Sequence, residues 1–147
     1  AVQWLRDGEV VGVFPEATIS QSFEVKDFKS GAVRMAAEAG VPIVPMITFG
    51  GQRLWTKGHP RQMTRGTLVA LTVGEPMTVT AQDDPLEAIA SLRSRMQSLY
   101  DQTIQNYQPK PEPEAWWWPA RFGGGAPTLE QMRAQEAADR AARESGD

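Results

Sequence analysis

Short apolar runs and one small-residue helical pattern alternate over the first third of the chain. The run 10–14 is continuous and rich in β-branched residues, which predicts a strand buried on both faces. Small apolar residues recur at helical spacing over 31–39, after Ser30 as a cap and before Gly40 as a left-handed stop. A second apolar run follows at 41–47. Strand, helix and strand in this order predict a right-handed βαβ unit, and therefore an α/β fold with a mainly parallel, covered sheet.

The following segments predict one further strand and a long helix. In the second run we expect Pro42 to open the strand and Pro45 to lie at its end or at a bulge, because proline cannot donate to a sheet ladder. A third apolar run, 67–73, predicts another strand. The sequence Asp84-Pro85-Leu86-Glu87 then has the form of a capping box. The residues expected to face the sheet from this helix are Leu86, Ile89, Met96, Leu99, Ile104 and Tyr107.

The composition changes at residue 108. Alternating prolines at 109–113 indicate an extended linker, and neither the three tryptophans at 116–118 nor the glycines at 123–125 fit a helix or strand pattern. From Thr128 a charged, alanine-rich helix is predicted, with Thr128-x-x-Gln131 as its capping box and little surface to bury. Its expected ion pairs are Glu136–Arg140 and Asp139–Arg143. We therefore divide the chain into a domain portion 1–107, a linker 108–127 and a helical tail 128–147.

Composition narrows the classes of function. A chain of 147 residues, 41% apolar and 22% charged, suits one globular domain. The absence of cysteine excludes disulfides, thiolate metal sites and a cysteine nucleophile, and a single histidine excludes a polyhistidine metal site. A net charge of -3 argues against nucleic acid as the main partner. Because the chain opens at Ala1 and enters an apolar segment within a few residues, we expect it to be the carboxy-terminal portion of a longer protein.

The most informative motif lies where the first predicted strand meets its loop. Phe14-Pro15-Glu16-x-Thr18-x-Ser20 is followed by Phe28-Lys29-x-Gly31 and by Val41-Pro42-Ile43-Val44-Pro45-Met46. In order and spacing these blocks resemble the third and fourth motif blocks of the glycerolipid acyltransferases, the lysophosphatidic acid acyltransferase family. The resemblance covers about residues 1–80.

The resemblance implies transfer of a fatty acyl group from acyl-CoA or acyl carrier protein to a lysophospholipid hydroxyl in phospholipid biosynthesis. It implies no metal and no cofactor beyond the acyl donor, and a peripheral location on the cytoplasmic face of a membrane. The expected substrate-binding residues are Phe14, Pro15, Glu16, Thr18, Ser20, Lys29 and Gly31.

Three departures from the family pattern bear on activity. The family usually has glycine and arginine where this chain has Ala17 and Ile19, so Lys29 becomes the first candidate for the acceptor phosphate, with Arg34 as a weaker one. The family's catalytic base is a histidine followed five positions later by aspartate. His59 is followed by Thr64 at that spacing and lies downstream of the Phe-Pro-Glu block. We therefore assign no catalytic residue within this chain and expect it not to turn over substrate by itself.

Two further features of the sequence each allow two interpretations. No acidic residue occurs between Glu38 and Glu75, while Arg53, Lys57, Arg61 and Arg65 are basic, which fits either contact with anionic headgroups or CoA phosphates, or a solvated loop. The tryptophans at 116–118 fit either packing back on the domain or an interfacial anchor. Two alternative functions remain beside acyl transfer to a lysophospholipid. The chain could be a non-catalytic lipid- or protein-binding module with the same fold, or an enzyme that acylates a glycolipid sugar hydroxyl.

Overall fold

The computed structural model describes residues 1–144 and contains four α-helices and one sheet within them. The last three residues of the predicted tail, 145–147, lie outside the described residues. The elements are α1 (Val2–Arg6), α2 (Gly31–Ala39), β1 (Met46–Phe49), β2 (Ala70–Val73), α3 (Pro85–Asn106) and α4 (Leu129–Glu144), with short 3-10 helices at Gly51–Arg53 and Ala120–Phe122.

The residues group into two compact units. The first comprises Ala1–Thr18, Asp27–Phe49 and Val69–Tyr107, and it contains α1, α2, the sheet and α3. The second comprises Ile19–Lys26, Gly50–Leu68 and the described residues 108–144, and it contains α4 and both 3-10 helices.

The sheet of the first unit is antiparallel, so the predicted parallel arrangement is wrong, although the mixed helix and strand content is confirmed. Strands β1 and β2 pair with Met46 opposite Val73 and Phe49 opposite Ala70. The ladder extends beyond them through an isolated bridge between Ile43 and Met77. The segment joining β1 to β2 contains a 3-10 helix and turns, whereas a parallel pair requires a crossover connection, usually an α-helix.

The run 10–14 is not a strand, which is the main correction to the βαβ prediction. Val10 is 94% exposed and Phe14 is 89% exposed. Among the described residues the run finds no neighbouring strand to exchange backbone hydrogen bonds with. A β-branched composition favours a strand only where a partner strand satisfies the backbone groups.

The strand boundaries also differ from the predicted ones. The run 41–47 is a strand only from Met46 onward, and it continues to Phe49. Pro45 therefore lies immediately before β1, where its carbonyl accepts a hydrogen bond from the Gly74 N–H at 2.9 Å. This position suits proline because it contributes an acceptor to the ladder and needs no N–H of its own.

The helices follow their local signals closely. Helix α2 has the predicted bounds, and Gly40 ends it in the left-handed region at φ 71°. Asp84 caps α3 by accepting a hydrogen bond from the Leu86 N–H at 2.9 Å. The Leu86 side chain itself is 75% exposed, so its predicted place on the buried stripe is wrong. It occupies the first turn of the helix, ahead of the buried positions that begin at Ala88.

The core of the first unit lies between α2, α3 and the segment after β2. Its buried members are Val33, Met77, Val79, Ala88 and Leu92, with partly buried Phe28, Ala37, Ile43, Ile89 and Met96 packed against them. The inward face of the sheet adds a second set of contacts, in which the ring of Phe49 meets Tyr100 and Tyr107 edge to face.

Helix α4 of the second unit begins with a capping box and buries one side chain. The capping box is reciprocal, since the Gln131 N–H donates to the Thr128 hydroxyl at 3.1 Å and the Thr128 N–H donates to the Gln131 side chain at 2.9 Å. Met132 is the buried residue of this helix, 2% exposed. Glu136, expected to pair with Arg140, instead forms its ion pair with Lys26 at 2.7 Å.

The tryptophan segment folds back within the second unit. Trp118 is 4% exposed, and its indole N–H donates to the Phe122 carbonyl at 3.0 Å. A β carbon at Gly124 would overlap the Trp118 backbone carbonyl, so this close approach requires glycine. None of the helices within residues 1–144 is both long enough and apolar enough to cross a membrane.

Candidate functional site

The Phe-Pro-Glu motif forms a closed turn in the first unit. The Ala17 N–H donates to the Phe14 carbonyl at 3.1 Å, which places Pro15 and Glu16 at the two central positions of a β-turn. Proline suits the first of these because its ring already holds the required φ. Ala17 follows in the left-handed region, with φ 56°. A residue with a β carbon is strained there, so the turn is held by its surroundings.

The turn is tied to the segment that leads into α2. The Lys29 N–H donates to the Pro15 carbonyl at 2.8 Å. Two residues later Gly31 begins the helix, and Ser30 at the cap position makes no side-chain hydrogen bond to the helix amides. The amides of the first helical turn carry partial positive charge and suit an anion. The structure therefore brings Pro15, Lys29 and Gly31 into one neighbourhood.

The other predicted site residues differ in their surroundings. Phe14 and Thr18 are exposed, and Glu16 is half-buried. Ser20 belongs to the second unit, where its hydroxyl lies 2.9 Å from the Ser22 hydroxyl and donates to the Met132 sulfur at 3.7 Å. The seven residues named from the sequence remain a predicted binding set.

Three features at or beside the site escaped sequence reasoning. The left-handed backbone at Ala17 had one available signal, because the family motif usually has glycine there. The bond between Pro15 and Lys29 joins residues fourteen positions apart, and no local pattern reports such a bond. An ion pair between Arg93 of α3 and Asp27, at 3.7 Å, also lies next to this segment and was not anticipated.

His59 lies in an exposed loop of the second unit. Its ring stacks on Trp116 with centroids 3.8 Å apart and an interplanar angle of 22°. Within the described part of the chain, no three histidine, aspartate or glutamate side chains group as metal ligands. The complete sequence contains no aspartate five positions after His59.

Comparison with known proteins finds similarity to acyltransferases. Residues 1–48 match the family model described as Acyltransferase. A probable 1-acyl-sn-glycerol-3-phosphate acyltransferase of Mycoplasma pneumoniae is 46% identical over 48 residues, which are 33% of this chain and 18% of that protein. A 1-acyl-sn-glycerol-3-phosphate acyltransferase of Chlamydomonas reinhardtii is 34% identical over 92 residues, covering 59% and 27%.

A third relative extends the match to a vertebrate protein. The 1-acyl-sn-glycerol-3-phosphate acyltransferase alpha of Mus musculus is 30% identical over 91 residues, which are 61% of this chain and 32% of that protein. No solved structure gives a significant match.

The site turn and the beginning of α2 both lie inside residues 1–48, the part of the chain that is similar to the acyltransferase family model. The relatives from a bacterium, an alga and a mouse are all named 1-acyl-sn-glycerol-3-phosphate acyltransferases, so the similarity is to glycerolipid acyltransferases. The chain spans about a third or less of the length of these relatives.

Proposed function

We propose that this chain is part of an enzyme that moves a fatty acyl group from acyl-CoA or acyl carrier protein to the free hydroxyl of a 1-acylglycerol-3-phosphate-like lysophospholipid, in phospholipid biosynthesis. The observation that carries the proposal is the backbone hydrogen bond from Lys29 to Pro15. It joins the motif turn to the residues that lead into α2, inside the matched segment. The similar proteins of Mycoplasma pneumoniae, Chlamydomonas reinhardtii and Mus musculus are named 1-acyl-sn-glycerol-3-phosphate acyltransferases, which supports the acceptor class.

The role proposed for this segment is to hold the acceptor phosphate. Ile19 stands where the family usually has arginine, and its side chain is 59% exposed and carries no charge. Lys29 is an exposed cation beside the same turn and replaces that charge. A charge-assisted bond from its ammonium group, together with the first amides of α2, gives a phosphate the donors it prefers.

Proton abstraction belongs to residues that this sequence does not contain. The family's base is an imidazole oriented by a carboxylate, and His59 lacks the spaced aspartate and stacks on Trp116 instead. We therefore expect the 147-residue chain to be inactive by itself and the full-length protein to supply a His-x-x-x-x-Asp block. The acyl thioester is already activated, so the proposal includes no cofactor beyond the donor, and the enzyme acts peripherally at the cytoplasmic face of a membrane.

Binding of a water-soluble, short-chain lysophosphatidic acid to the purified chain tests the phosphate role directly. Calorimetry should show Lys29→Gln weakening the affinity about tenfold or more, the value of one charge-assisted bond. Arg140→Gln removes an equal charge from an exposed position of α4 and should leave the affinity unchanged. Equal affinities for Lys29→Gln and the unaltered chain would contradict the proposal.

One observation favours an alternative, which is the loss of the family arginine at Ile19. A non-catalytic binding module and a sugar acyltransferase both remain compatible with that change. An acceptor panel with labelled acyl-CoA, run on the full-length protein, separates them: product with lysophosphatidic acid alone supports the proposal, product with a glycolipid supports the sugar acceptor, and no product with any acceptor supports the module.

A further inference from the structure

The segment 50–68 of the second unit carries only positive charge. Across residues 39–74 the sequence has four cations, Arg53, Lys57, Arg61 and Arg65, and no acidic residue. Lys57, Arg61 and Arg65 are exposed, and within residues 1–144 none of the three forms an ion pair. The charge of this segment is therefore available to an external anion.

Two large apolar side chains accompany the cations. Trp55 and Met63 are each 71% exposed. The guanidinium of Arg61 lies 5.5 Å from the centre of the Trp55 ring. We call the residues Trp55, Lys57, Arg61, Met63 and Arg65 the basic-aromatic surface.

The backbone closes this segment into a defined loop. The Gln62 N–H donates to the Leu54 carbonyl at 2.9 Å, so the residues on either side, Trp55 and Arg61, are held near each other. Gly58 lies between them at φ 84°, in the region that permits the chain to reverse. Arg53, at the base of the loop, places its guanidinium 4.4 Å from the Trp117 ring centre, and His59 stacks on Trp116.

We infer that the basic-aromatic surface binds the anionic headgroup layer of a lipid bilayer. Cations near such a layer gain free energy from its surface potential, and tryptophan and methionine gain from insertion at the boundary of headgroup and acyl chain. Free CoA would satisfy the cations with its phosphates and can stack its adenine on Trp55, but it offers no apolar layer that covers Trp55 and Met63 together. The inference deepens the proposed function because it names the surface through which the enzyme contacts the membrane. It rests on the proposed function in one respect, which is that the acceptor is a lipid.

Vesicle sedimentation tests the charge without any acyl transfer, so it fails or succeeds independently of the enzymatic proposal. The probe is a mixture of phosphatidylcholine and phosphatidylglycerol, with pure phosphatidylcholine as the neutral reference. The triple change Lys57→Gln, Arg61→Gln, Arg65→Gln should weaken binding to the mixture about 100-fold, and added salt should weaken binding of the unaltered chain.

A matched control removes three exposed cations elsewhere, through Arg95→Gln, Arg140→Gln and Arg143→Gln, and should bind nearly as well as the unaltered chain. Equal losses in both triple variants would mean that only net charge matters, and this would overturn the inference. Unchanged vesicle binding by the first triple variant would overturn it as well.

Quenching by lipids brominated high on the acyl chain tests insertion. Trp55→Ala should lose most of the bromine quenching, whereas Trp4→Ala should keep it, because Trp4 is similarly exposed, at 65%, but lies in the first unit. Retained quenching in Trp55→Ala would refute insertion at this surface. If calorimetry showed the Lys57, Arg61 and Arg65 variant losing affinity for CoA while its vesicle binding persisted, the surface would be a nucleotide-phosphate site and the inference would be overturned.

Discussion

The strained alanine of the motif turn yields a prediction whose sign is unusual. Glycine in place of alanine normally destabilises a protein, by about 0.5–1 kcal/mol, because glycine loses more backbone freedom on folding. Ala17 is held at φ 56°, where an L-residue with a β carbon pays about 1–2 kcal/mol. Its side chain is exposed, so removing the methyl group deletes no buried contact. Ala17→Gly should therefore raise the free energy of unfolding by about 0.5–1 kcal/mol.

Urea denaturation followed by far-ultraviolet circular dichroism measures this effect. Ala90→Gly is the matched control, since it makes the same chemical change at an exposed position inside α3, where φ is helical. It should lower stability by about 1 kcal/mol. A loss in Ala17→Gly as large as the loss in Ala90→Gly would refute the left-handed conformation of the turn and, with it, the way the motif presents Glu16 and Lys29.

Three other predictions concern the framework. Leu92 is 2% exposed in the core of the first unit, so Leu92→Ala should lower the free energy of unfolding by about 2–5 kcal/mol in urea denaturation. A loss of less than about 1 kcal/mol would mean that Leu92 does not belong to the core. Thr128→Ala removes the hydroxyl acceptor of the α4 capping box and should cost about 1 kcal/mol, with reduced amide protection confined to the first turn of α4 in hydrogen exchange; unchanged protection there would contradict the cap. The pKa of Asp83 is lowered, first by the backbone N–H of Thr80 and then by its hydroxyl, so its contribution to stability is present above the ordinary pKa of 3.8 and is lost as pH falls through the lower folded value. Stability curves against pH should therefore differ in slope on the acid side between the unaltered chain and Asp83→Asn, and parallel curves would exclude this linkage.

Sequence reasoning was most successful where the determining contacts are local. The bounds of α2, the cap of α3 at Asp84 and the reciprocal box of α4 at Thr128 were all predicted, and each depends on residues within four positions of each other. The sequence placed the motif where an apolar run meets a loop, and the turn found there suits Pro15 because its ring already holds the required φ.

The resemblance to the glycerolipid acyltransferases also came from the sequence, because it rests on the order and spacing of side-chain types. The three motif blocks imply a glycerolipid acyltransferase, and the matched family model covers residues 1–48. Neither result requires a correct strand direction. For this reason the resemblance to the family was recognised although the sheet was predicted wrongly.

The long-range arrangement was decided by tertiary structure alone. The run 10–14 has the composition of a buried strand, yet Val10 and Phe14 are exposed because a strand exists only where another segment accepts and donates its backbone hydrogen bonds. Three other features likewise involve residues distant in sequence. They are the antiparallel pairing of β1 with β2, the backbone hydrogen bond from Lys29 to Pro15 and the stacking of His59 on Trp116. The amino-acid sequence determined where the chain turns, begins its helices and carries its chemistry, because those choices are energetically local. The tertiary structure decided which segments contact each other. Those contacts depend on which strands and aromatic rings are available as partners, and this is a property of the folded chain as a whole.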